Sequence, residues 1–273
     1  MTAYLAEVAE DEATGSVAAA YGEIRSTIGL PVVNLVYRHL ASAPGRLERV
    51  WEHLAPALRD PGTRRIADAV WASATTPDVE PIPASSLAAA GMDAPTLAAA
   101  AATFDAYERG NATNLIAVTA LLHGVERSVA PPRAPAPVRG AMGALPAMVA
   151  PEQLARGSRL LLEEMSAAVA GRSRPVLIPS LFRHLTRPPA LLALAWTVLR
   201  RPLTAADFEP RVQALVATAR RCLPGVEFAV PRVEDDATRA ALDRFLDAIP
   251  RMLLVGAMLR AAFSEGLRDR EAA

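Results

Sequence analysis

The feature that most constrains this chain is a repeat. Tyr37-Arg38-His39-Leu40 returns as Phe182-Arg183-His184-Leu185, Pro44 returns as Pro189, and Trp51 returns as Trp196, each pair 145 residues apart. Arg65-Ile66 then faces Arg211-Val212 with the offset one longer, and LIAVTALLHG from Leu115 resembles MLLVGAMLRA from Met252. Four features kept in one order over most of each half predict an internal duplication. The Pro- and Gly-rich stretch Val129–Pro151 cannot sustain a helix and reads as a linker. The expected organisation is a first helical repeat over 1–128, a linker over 129–151 and a second repeat over 152–273.

The repeated unit must be helical. The chain of 273 residues is 52% hydrophobic and only 5% aromatic, rich in Ala and Leu, with few β-branched runs. Periodicity places helices at Glu12–Ile28, ended by Gly29-Leu30-Pro31, then at Asn34–Ala41, Leu47–Leu58 and Asn111–Val125. A loop is expected over Thr75–Ser85. Each half then forms a bundle of about five or six helices, and the two pack as a pseudo-dimer. The predicted class is all-α.

Composition also excludes chemistry. The 29 basic and 29 acidic residues cancel, and no basic stripe suggests nucleic acid. Lysine is absent, so a lysine Schiff base, a pyridoxal-phosphate lysine and a P-loop lysine are all ruled out. Cys222 is the only cysteine, which rules out an internal disulfide and a thiolate metal cluster. No His pair has metal-ligand spacing, so neither a metal nor a cofactor is expected. The apolar stretches Pro188–Leu199 and Met252–Phe263 are too short or too interrupted to span a bilayer. No basic start precedes an apolar run. The expectation is a soluble, cytoplasmic chain with no membrane partner; a homodimer is compatible with it.

Tyr21-Gly22-Glu23-Ile24, Gly29-x-Pro31 and Asn34-x-x-Tyr37-Arg38-x-Leu40-Ala41, taken in that order, resemble the group I 2-haloacid dehalogenases, also called halocarboxylic acid dehydrogenases. The resemblance covers nearly the whole chain. It implies an all-helical, two-repeat fold that hydrolyses 2-halocarboxylic acids to 2-hydroxyacids without a cofactor. In that chemistry water displaces halide at the α-carbon. An Asp in the second-repeat signature activates the water, and an Asn late in the first repeat holds it. Carried onto this sequence, the Asn is Asn114, the catalytic candidate. The substrate-binding candidates are Asn34, Tyr37, Ser180 and Phe182, for a small 2-substituted carboxylic acid. The first-repeat run also faintly resembles carboxymuconolactone decarboxylase and alkylhydroperoxidase-type proteins, but Cys222 lacks the neighbouring His or Cys which that chemistry uses.

One departure bears on activity. The family's Asp falls at Leu181, and no Asp or Glu occurs between Glu164 and Asp207. Displacement by water needs a general base within hydrogen-bond reach, whose loss typically costs about 10²–10⁴-fold. His184 lies one helical turn from Leu181, but its repeat partner His39 points to a structural role for both. Repetition likewise assigns Arg38 and Arg183 to ion pairs, and Trp51 and Trp196 to packing. The alternative function is a non-catalytic relative that binds a small carboxylate or acts as an interaction protein.

Overall fold

The computed structural model describes residues 4–126, 142–174 and 177–268. Twelve α-helices account for it: α1 Gly15–Ile28, α2 Leu35–Leu40, α3 Arg46–Arg59, α4 Pro61–Ala72, α5 Ala84–Ala89, α6 Ala94–His123, α7 Arg156–Val169, α8 Ser180–His184, α9 Pro189–Leu199, α10 Phe208–Cys222, α11 Asp236–Ala262 and α12 Ser264–Arg268. Among the described residues there is no strand, only one isolated bridge between Val125 and Val230. The fold is all-α. No described helix is long and apolar enough to cross a membrane. Much of the expected linker lies outside the described residues.

Three helices start on the same local signal. Asp60, Asp93 and Asp235 each accept a hydrogen bond from the backbone N–H of the Thr three residues on, at 3.0, 2.9 and 2.8 Å. This satisfies one of the donors that a helix N-terminus leaves open, so α4, α6 and α11 begin there. At the other end of α6, Gly124 adopts a φ of +73°, which an L side chain rarely tolerates.

Helices α6 and α11 form the spine and pack along each other. Buried apolar side chains from both, including Phe104, Leu115, Leu253 and Met258, build the centre of the core. One polar clamp fixes their register. Glu108 on α6 is 1% exposed and accepts two-pronged hydrogen bonds from Arg260 on α11 at 2.6–3.1 Å. Gly256 makes room, since a Cβ there would sit 3.1 Å from Glu108 Cγ. Burial pushes the Glu108 carboxyl up, and Arg260 opposes that shift.

The sequence placed a helix over Asn111–Val125, with Asn114 close to its start. That expectation is corrected: α6 runs unbroken from Ala94, its cap is Asp93, and Asn114 sits mid-helix. The Gly110-Asn111 pair reads as a break because both residues have poor helix propensity. Tertiary packing overrides it. A Cβ at Gly110 would meet Leu30 Cδ1 at 2.8 Å and Asn34 Nδ2 at 2.9 Å, so this glycine lets the α2 entry lie close against α6.

Candidate functional site

Two short helices, α2 and α8, lie on the spine and bring their first residues to one place. Between them and α11 is a cleft of about 50 Å³. Asn34, Asn111, Asn114 and Ser180 supply its polar groups, and Leu181, Phe245, Ile249 and Met252 are among its apolar walls. All four polar residues are at least nine-tenths buried. Of the sequence candidates, the structure thus brings Asn34, Asn114 and Ser180 together. Tyr37 and Phe182 are not among the lining residues: Tyr37 packs edge-on against Trp51, with ring centroids 5.9 Å apart, and Phe182 is fully buried in the core.

The three asparagines are under-satisfied. Asn34 Oδ1, Asn111 Nδ2 and Asn114 Oδ1 are buried and have no hydrogen-bond partner among the described residues. Asn34 occupies the N-cap position of α2, yet its side chain makes no capping bond. A buried polar atom left unpaired costs about 1–3 kcal/mol. An Asn amide can present either its carbonyl or its N–H₂, so these three can bind donors or acceptors.

Beneath Ser180 lies a charge cluster of two buried arginines and the half-buried Glu7, which also borders a separate cavity with Glu12 and Glu152. Arg38 Nη2 donates to Ser180 Oγ at 2.6 Å and pairs with Glu7 Oε2 at 3.1 Å. Arg183 Nη1 pairs with the other oxygen of Glu7 at 2.6 Å. Two guanidinium groups, one 1% and the other 10% exposed, therefore share one carboxylate. Among the described contacts the cluster keeps one net positive charge. Because Ser180 Oγ accepts from Arg38, its own proton points elsewhere, toward the Tyr107 phenol oxygen. Tyr107 borders the same cleft; burial pushes its phenol up, and Arg38 and the Ser180 hydroxyl partly offset that.

Both histidines of the repeat hold backbone. His39 Nδ1 lies 2.7 Å from the Ala6 carbonyl and His184 Nδ1 lies 2.6 Å from the Pro146 carbonyl. A carbonyl only accepts, so Nδ1 carries the proton in each ring. Burial, with Arg38 and Arg183 adding to it, lowers His184 to about 4. Its Nε2 has no partner among the described residues, but it borders a different cavity, with Thr96 and Arg187. Among the described lining residues of the cleft there is no Asp, Glu or His. No group of three or more metal-ligating side chains occurs among the described residues.

Sequence reasoning missed Asn111 as a lining residue, and missed Glu7 and the contact of Arg38 with Ser180. Asn111 reads as the start of a helix rather than as part of a longer one. Repetition rightly pointed Arg38 and Arg183 toward ion pairs, but it cannot show that one glutamate serves both.

No family model matches the chain, and no curated protein matches it. Solved structures do. A mutant D-2-haloacid dehalogenase in complex with D-2-CPA, a mutant of D-2-haloacid dehalogenase without a named ligand, and a D-2-haloacid dehalogenase in complex with L-LA each superpose with a TM-score of 0.77 at 18% identity. Each match covers 97% of this chain and 96% of the other. The chain therefore has the fold of the D-2-haloacid dehalogenase structures.

Proposed function

We propose that this chain binds a small 2-substituted carboxylic acid in the cleft between α2, α8 and α11, on a scaffold built like a haloacid dehalogenase. The observation that carries this reading is the imbalance under Ser180: a cluster with one excess positive charge, one hydroxyl away from a cleft lined by unpaired amides. A carboxylate there would accept from the Asn N–H groups and compete with the Tyr107 oxygen for the Ser180 proton. It would also compensate the charge of Arg38 and Arg183. Charged hydrogen bonds of this kind contribute about 1.5–3 kcal/mol each.

The group I resemblance and the duplication into 1–128 and 152–273 belong to the same reading. Supporting the duplication, α2 and α8 present matching Arg-His pairs, each with its His Nδ1 on an extended segment's carbonyl. Leu181 then stands where the relatives of group I would carry the water-activating Asp. With Leu181 fully buried and no base among the described lining residues, water in this cleft has no proton acceptor. Binding is accordingly the primary function, and carbon–halogen hydrolysis is slow or absent. Hydrolysis is favoured by one observation only, the unpaired Asn114 Oδ1, which could orient a water but not take its proton.

The test is thermal stabilisation and calorimetric titration with D- and L-2-hydroxypropionate, beside halide release from D- and L-2-chloropropionate. Saturable binding, weakened about tenfold or more in Ser180→Ala, with halide at the level of a heat-killed control, is the expected result. Absence of binding to every acid overturns the reading. Halide release above the control overturns the assignment of binding without hydrolysis.

A further inference from the structure

The cleft has room for a short acid but not for a long substituent. On a measure by which one water needs roughly 10–15 Å³, its 50 Å³ takes an acid head group and little more. It is not isolated. A second cavity of about 300 Å³ lies beside it, and Leu177, Pro179, Ala248 and Met252 line both. Met252 is unbranched and turns about three bonds, so it can open the junction without moving backbone.

The second cavity differs in chemistry. Leu5, Val169 and Ala170 extend the apolar wall beyond the shared residues. Its innermost charge, Arg251, is already matched by Glu209 at 2.7 Å and by Asp247 at 3.1 Å. Arg172, Asp243 and Arg244 are exposed at its mouth. No buried unpaired charge there calls for a second anion. The inner cleft presents unpaired amides beside an excess positive charge, whereas the outer cavity presents an apolar wall of Leu5, Val169, Ala170, Leu177 and Met252 facing Ser166 and side chains whose charges are paired or exposed.

We infer that the ligand is an amphiphilic 2-substituted acid, whose carboxylate sits at Ser180 and the asparagines and whose alkyl chain of several carbons passes Met252 into the outer cavity. This rests on the carboxylate reading above and adds the class of the substituent. Each methylene transferred from water to such a wall should tighten binding about fourfold, until the chain reaches the mouth.

The experiment is calorimetric titration of the full chain with 2-hydroxy acids of three, six, eight and ten carbons, repeated on Ala170→Trp. Ala170 lines the outer cavity only, and a Trp there fills it. The expected result is a stepwise gain with chain length in the wild type. In the variant that gain disappears while three-carbon binding stays unchanged. Three-carbon binding with no gain on lengthening overturns this inference and leaves the carboxylate reading standing. A gain that persists in Ala170→Trp also overturns it, because the chain then lies elsewhere. If no acid of any length binds, both readings fall. Should Ala170→Trp not fold, as judged by its circular dichroism melt, the wild-type series decides alone.

Discussion

His184 allows a worked prediction of stability against pH. Its ring is 4% exposed, and burial holds its folded pKa at about 4, below the ordinary 6.5. The unfolded chain therefore binds the proton more readily than the folded one. Stability from this group is fully present above pH 6.5 and is lost as pH falls toward 4. A difference of about 2.5 pKa units corresponds to about 3 kcal/mol in all, of which about 2 kcal/mol is already gone at pH 5. Below pH 4 both states are protonated and the loss levels off. His184→Asn isolates the effect, since an Asn amide can still donate to the Pro146 carbonyl but does not titrate. Urea denaturation of both proteins between pH 4.5 and 7.5, followed by circular dichroism, gives the two slopes. The variant is less stable at pH 7 because it leaves a small void, yet it should lose about 2 kcal/mol less between pH 7 and pH 5. Parallel pH profiles would refute the reasoning.

Three other perturbations test the site. Glu7→Gln leaves the Arg38 and Arg183 guanidinium groups without their carboxylate and should cost about 3 kcal/mol in chemical denaturation, while binding of a carboxylate ligand at Ser180 recovers part of it. Gly110→Ala drives a methyl against Leu30 and Asn34, so a loss of about 1–3 kcal/mol in stability is expected, with weaker 2-hydroxypropionate binding by calorimetry. Leu181→Asp puts a carboxylate into the cleft wall, and halide release from 2-chloropropionate should rise above wild type; if the fold holds and no halide appears, the register that places the family's Asp at this position is wrong.

The sequence by itself determined the class and much of the site. Ala- and Leu-rich composition with helical periodicity leaves no material for a sheet, and the all-α fold follows from that local preference. The helix end at Gly29 was legible because backbone conformation there is decided by the residue itself. Asn34, Asn114 and Ser180 were candidates through the family resemblance, and the structure gathers them in one cleft. The tertiary structure alone decided the rest. Gly110 and Asn111 look like a helix break, yet α6 runs through them because Leu30 and Asn34 need that space. Tyr37 and Phe182 each sit one residue from a lining position, yet both face the core; which face of a five- or six-residue helix meets the cleft depends on how that helix lies on the spine. Glu7 carries no signal in the sequence. Its role exists only because the N-terminal segment reaches α2 and α8, where two arginines 145 residues apart converge on one carboxylate.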